Sequence, residues 1–358
     1  GQNHPLSGGP AEMTPHYLTY IAFAAVCLVL LTLPFVPAFS EWLKPTDAAP
    51  LPVSPVYTSD IDHFARRLRA DAMAKLGSAP STGYEEFDFV ADSGTDMDWR
   101  QAPKRLIARA SVSSPEPVRS VQPVYVDGNL QAGADSSFAA LYATGDIDLG
   151  AHSEISDWAH ADGLVRLGAN SIGLRRISAG GAIELGTETW FERLHAPALR
   201  FGTRVSTVPQ PQSYEQSPAS YADLPGAIRQ TPELYLIRGD CALPPGKTYQ
   251  GSLVVTGFLT IGAATTVLGD IKARDGVSVG PRASVRGALT CEKRIYVFAD
   301  ARVWGPVISE SDVLIGASAE IGLPHAQTTV SAANIIVEDG VTVYGALWAH
   351  EIGMVKPL

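Results

Sequence analysis

Residues 259–289 read LTIGAATTVLGDIKARDGVSVGPRASVRGAL, and residues 18 apart within the run are alike. Leu259 faces Val277 in such an alignment, Ile261 faces Val279, Val267 faces Val285 and Ile271 faces Leu289. Continued outward, the columns become Leu259, Val277, Ile295 and Val313; Ile261, Val279, Val297 and Ile315; and the small Thr265, Ala283, Ala301 and Ala319. Two more hold Val267, Val285, Val303 and Ile321, then Leu253, Ile271, Leu289 and Val307. A sixth holds Val255, Ala273, Cys291 and Ser309. Within a unit the apolar residues come as pairs two apart, the mark of a strand with one buried face. The pairs recur every six residues, which predicts three strands per 18-residue coil. Gly251, Gly269, Gly287 and Gly305 stand at the expected corners, where glycine tolerates unusual backbone angles. The fold class is therefore all-β, a three-sided parallel β-helix whose coils bury their inward columns only by stacking.

The rule extends upstream. Ile147, Val165 and Ile183 align, as do Leu149, Leu167 and Leu185, with a weaker copy at Leu130 and Ala132. The helix is expected over 121–205 and 233–358, with the Pro/Ser/Gln-rich stretch 206–232 leaving the stack as an inserted loop. The step from Val313 to Ile335 is 22 residues, which predicts a small bulge near Pro324–Gln327. About eleven coils at ~4.8 Å would make a stack on the order of 50 Å.

Tail 1–16 precedes a run without charge, Tyr17 to Phe39, long enough to cross a bilayer. Tyr17, Tyr20, Phe23, Leu30, Phe35 and Phe39 are its expected lipid-facing or interfacial residues. A cleaved signal peptide is the alternative, with Ala38-Phe39-Ser40 as the small-residue site. Residues 40–58 form a linker whose Pro/Ala-rich core, 45–56, is an extended spacer. Region 59–120 is expected to be helical and mixed, capping the first coil. Its helix, 60–76, carries Ile61, Phe64, Ala65, Leu68 and Ala72 on one face and is expected to pack on the next domain. Lys44, Arg66, Arg67 and Arg69 follow the apolar run, so positive charge favours a cytoplasmic body; a periplasmic one is the alternative.

The chain resembles the bactofilins, bacterial polymer-forming cytoskeletal proteins, in residues 259–289 and in the ending IVEDGVTVYG (336–345). That ending is similar to the family motif E-x-G-A-x-F-x-G, with Glu338, Gly340 and Gly345 matching and Val341 and Val343 replacing Ala and Phe. The resemblance implies a right-handed helix, end-to-end polymerisation and recruitment of envelope or exopolysaccharide machinery at the bacterial inner membrane. Expected partners are thus the chain itself, the bilayer and envelope or polysaccharide-synthesis membrane proteins. Val341, Val343, Tyr344, Leu347 and Trp348, in the terminal coil, are the expected self-association surface, because an end coil has the least covered strand edges. Trp304 and Leu268, outward in one column, are the expected partner surface.

Chemistry is sparse. The net charge of -10 and only 18% charged residues argue against a nucleic-acid partner. There is no CxxC, P-loop, GxGxxG before a helix or nucleophile elbow, so no cofactor, metal or enzymatic function is expected. Cys241 and Cys291 fall in inward columns and are expected to be core thiols. An acyltransferase on a β-helix would need a histidine base, and His152, His160, His195, His325 and His350 are the candidates. His195 is expected in an inward column under Ala159 and Ile177. Asp148, Arg166 and Glu184 align as an outward ladder of alternating charge rather than a carboxylate pair for glycan cleavage.

Overall fold

The computed structural model describes residues 15–37, 39, 61–77, 87–90, 99–202 and 217–357. The chain divides into two units, Gly1–Pro55 and Val56–Leu358. The first holds helix α1, Pro15–Thr32, followed by a 3-10 turn at Leu33–Phe35. Thr32 donates its hydroxyl to the carbonyls of Leu28 and Val29 just before Pro34. The window Leu18–Phe35 has a mean hydropathy of 2.3 and nothing buried around it. It is long and apolar enough to be a membrane span or a signal sequence. Tyr20, Phe23, Leu30 and Phe35 are exposed in it, as is Phe39 just beyond; the Tyr17 side chain, residues 1–14 and the whole of linker 40–58 lie outside the described residues.

The second unit is a parallel β-solenoid of about 14 turns. Strand register follows the repeat. Leu253 pairs with Ile271, Ile271 with Leu289 and Leu289 with Val307. Leu259, Val277, Ile295 and Val313 form a second ladder, and Val267, Val285, Val303 and Ile321 a third. Each strand pairs with the third one along, so three short strands make a coil. The inward residues of these ladders are no more than 2% exposed. Val313 pairs with Ile335, and the four extra residues make a turn closed by the Leu323–Ala326 bridge.

The corners work differently from the expectation. Gly251 has φ +95, but Gly269, Gly287 and Gly305 are not left-handed. They are glycine because a Cβ at each would overlap backbone of the preceding coil. The left-handed corner falls on Ala264, Arg282, Asp300 and Ser318, with φ of 57 to 60, again 18 apart.

The solenoid starts earlier than residue 121. Phe87 pairs with Arg105 and Leu106 with Val124, while Val112 pairs with Leu130. Within region 59–120, Phe87–Phe89 and the strands from Arg105 to Ser120 are therefore solenoid coils rather than an end cap. The region's helix α2, His63–Gly77, lies along the side of the coils, where Ala65, Leu68 and Ala72 pack on Ile107, Tyr125 and Tyr142. Phe64, expected on the buried face, is 48% exposed.

Residues 121–205 and 233–358 do not form one continuous stack. The N-terminal arm ends in strand Trp190–Phe201, and the C-terminal arm ends in strand Thr342–Lys356. These two end strands pair with each other, antiparallel: Leu194 with Leu347, Ala196 with Gly345, Leu199 with Val343 and Arg200 with Thr342. The arms thus meet by their final coils. Residues 203–216 lie outside the described residues. The remainder of the expected loop is structured: Ser217–Ala219 pairs with Lys247–Tyr249, and Ala227–Thr231 pairs antiparallel with Leu234–Ile237 on the first coil of the C-terminal arm.

The junction overturns the premise of an open terminal edge. Thr342–Lys356 is hydrogen-bonded to Thr328–Glu338 on one side and to Trp190–Phe201 on the other. Val341, Val343 and Leu347 are buried. Phe201 donates to the Val341 carbonyl at 3.1 Å, and Gly340 donates to that of Phe201 at 2.8 Å. The backbone groups that would template another copy are already satisfied within the chain.

Candidate functional site

The expected surface residues separate. Leu268, Arg286 and Trp304 are successive members of one outward column, 18 residues apart, and the Arg286 guanidinium sits over the Trp304 ring at 4.4 Å. Tyr344 is half-buried beside the junction. Trp348, 40% exposed, lies under the guanidinium of Arg193 at 4.3 Å. It also contacts the His350 ring, whose Nε2 is 3.1 Å from Ser331 Oγ.

Two outward columns run side by side up to this point. One is Trp158, Arg176, Arg193 and Trp348, in register from coil to coil across the junction. The other is Tyr125, Tyr142, His160, Ser178 and His195. Between Gly173 and Arg176 the register shifts, and Ile177 pairs with Leu194 rather than His195. Leu194 therefore takes the inward place, and His195 turns outward. This corrects the expectation of a core histidine.

The second column is a polar seam beside α2. Tyr125 stacks on Tyr142 and Tyr142 on His160, with centroids 5.4 and 5.3 Å apart. Tyr142 donates to Asp162 at 2.6 Å, and Arg69 from α2 pairs with the same carboxylate at 3.3 Å. His160 Nδ1 is 2.7 Å from Ser178 Oγ, and its Nε2 is 3.4 Å from Asp162. Burial lowers the pKa of both His160 and His195, outweighing the nearby carboxylates of Asp162 and Asp62. Burial and the Asp162 hydrogen bond raise that of Tyr142. Ser178, His160 and Asp162 have the composition of a nucleophilic relay. Ser178, however, is 3% exposed, so its oxygen cannot be reached by a substrate. The cluster instead satisfies buried polar groups and fastens α2.

The first column borders an open cleft of about 770 Å³, lined by Phe64, Asp157, Trp158, Arg175, Arg176, Glu192 and Arg193. Phe64 of α2 supplies one wall, and its ring lies 5.1 Å from the Arg176 guanidinium. Arg175, in the left-handed region with φ 61, turns toward Asp157 at 3.7 Å. Among the described residues, Arg176 and Arg193 have neither an ion pair nor a hydrogen bond from the guanidinium; their contacts are with aromatic faces. Burial and the neighbouring Arg176 lower the Arg193 pKa, although a guanidinium remains charged at neutral pH.

Sequence reasoning missed this cleft. Trp158 and Arg176 are 18 apart and legible as an outward pair. The 17-residue step to Arg193 hides the third member, and Trp348 joins only through the junction. Elsewhere, Arg166 bridges Asp148 at 3.0 Å and Glu184 at 2.9 Å, the expected charge ladder. Cys241 and Cys291 are free thiols whose pKa burial raises. Among the described residues, no cluster of His, Cys, Asp or Glu could hold a metal.

No family model matches the chain, and neither a curated protein nor a solved structure matches it. The resemblance to bactofilins therefore rests on residues 259–289 and 336–345 alone.

Proposed function

We propose that this chain is a membrane-tethered, bactofilin-like scaffold of the bacterial inner membrane, whose solenoid organises partner proteins of envelope or exopolysaccharide synthesis and export. The observation that carries the reading is the junction. Two arms spend their final coils on each other and leave long, regular lateral faces, a shape suited to presentation rather than turnover. The apolar helix supplies the tether. The lack of a reachable nucleophile at Ser178 weighs against the enzymatic alternative.

Self-association is assigned to the outer ends. Among the described residues, Phe87–Phe89 and Ala227–Thr231 are each paired along one side only. Unpaired strand edges are the parts of a solenoid able to add another copy. Negative-stain electron microscopy and light scattering of the whole chain in detergent test this. End-joined particles are expected, lost in Ile228→Asp and retained in Trp348→Asp. Loss in Trp348→Asp alone would return assembly to the C-terminal coil. Strict monomers throughout would replace the self-assembling scaffold with a monomeric adaptor.

A further inference from the structure

The cleft beside α2 has a composition that the scaffold reading does not use. Three successive outward rungs line it, Trp158, Arg176 and Arg193, and Trp348 is the next rung, covered by Arg193. Successive rungs of a sheet are ~4.8 Å apart, so the four residues span ~14 Å. Each central guanidinium is stacked on an aromatic ring, Arg176 on Phe64 and Arg193 on Trp348. Stacking uses the flat face and leaves the N–H fork free for a planar anion. Two like charges held side by side without a carboxylate between them would gain from such an anion.

We propose that this cleft is a binding site for a carboxylated oligosaccharide, with Arg176 and Arg193 taking the sugar carboxylates and Trp158 stacking on a ring face. The reasons are chemical. A densely charged phosphate chain or nucleic acid would meet Asp157 and Glu192 at the rim, in a protein of net charge -10. A carboxylated sugar chain also carries several hydroxyls per ring, and these donate hydrogen bonds to those same carboxylates. An acidic peptide is disfavoured because the strands under the cleft are paired on both sides and offer no edge for an added strand. The volume, about 770 Å³, is that of a pocket for a ligand of a few rings.

The site has a structural precondition. Arg193 comes from the N-terminal arm and Trp348 from the C-terminal arm, so the arms must be joined for Arg193 to be held on the indole face. The inference is independent of self-association and of the tether. A scaffold that fails to bind glycan and a glycan binder that fails to assemble are separate outcomes.

The test is calorimetric titration of the whole chain in nanodiscs with tetragalacturonate, the neutral tetrasaccharide of galactose and hexaglutamate. Tetragalacturonate is expected to bind at one site per chain. Arg176→Gln and Arg193→Gln should each weaken it about ten-fold or more, the scale of a lost charge-assisted hydrogen bond. Arg193→Lys should weaken it less, since charge stays while the fork is lost. Among the described residues neither arginine is in an ion pair, so circular dichroism and melting of these variants should match the parent. The neutral sugar should bind at least ten-fold more weakly than the acidic one. Equal binding of hexaglutamate would make this an acidic-peptide site. Equal binding of the neutral sugar, unchanged binding in both glutamine variants, or no binding of tetragalacturonate would overturn the proposal.

Discussion

The two arms are built from the same coil yet differ in what they expose. The C-terminal arm keeps its 18-residue period and short strands for five coils before its last two strands lengthen to Thr328–Glu338 and Thr342–Lys356, and outer side chains pair along their own ladder, as Arg294 does with Asp312 at 2.8 Å. The N-terminal arm slips its register at Gly173, lengthens its strands to Trp190–Phe201 and lays a helix against one face. The cleft, the polar seam, Arg176 and Arg193 all belong to this less regular arm. A strict repeat gives every coil the same neighbours. A broken repeat lets one coil place a side chain where the next has none, which is what a site requires.

The largest expected effect is at the place where the arms meet. Val343→Lys would bury an unpaired ammonium in the junction and should cost several kcal/mol. Gly353→Leu should act in the same direction, because any Cβ there would run into the buried ring of Phe191. In calorimetry one melting transition should become two, with hydrogen exchange rising in 190–201 and 342–356. A single unshifted transition in Val343→Lys would show that the junction is not a cooperative contact.

Next in size is the helix that distinguishes the N-terminal arm. Leu68→Ala empties a buried site against Tyr125 and Tyr142 and should cost about 2–4 kcal/mol. The loss should be confined to α2 and the coils under it, with exchange in residues 253–315 unchanged. Spread of the effect into the C-terminal arm would mean that the arms are energetically one body.

Acid should loosen the same face selectively. His160 and His195 have pKa values in the folded chain below the ordinary 6.5. The unfolded chain therefore binds more protons in this range, so their contribution is complete above about pH 6.5. It is lost as the pH falls through the lower folded values. Between pH 7 and 5 the exchange protection of residues 61–77 should drop before that of 253–315. His160→Gln should flatten the dependence.

The smallest effect is expected on the charge ladder. Arg166→Ala removes two ion pairs, but the side chain is 46% exposed, and solvent screening should hold the cost to about 1 kcal/mol or less. A larger loss, read from the denaturation midpoint, would mark the ladder as part of the arm's stability rather than its solubility.

Much of this was readable in the sequence because a solenoid is a local code. Leu259, Val277 and Ile295 meet because they are equally spaced, and an apolar residue every second position selects the buried face without reference to anything distant. The same logic located the bulge after Ile321 and the charge ladder at Arg166. It failed where the period changed. A count of 18 from Ile177 puts His195 inward, and one residue fewer in that coil turns it outward. Region 59–120 reads as a cap because its mixed composition hides the matching of Leu106 to Val124 and Val112 to Leu130.

The sequence by itself determined the coil, the columns that fill it and the apolar helix ahead of it. Only the tertiary structure decided that the two repeat regions run toward each other and close end to end. Pairing of Leu194 with Leu347 joins residues with no shared period between them, and it depends on backbone groups that every residue carries. An edge strand is completed by whichever other edge is brought to it. The residues then carried together, Arg193 and Trp348, make a contact that neither arm contains alone.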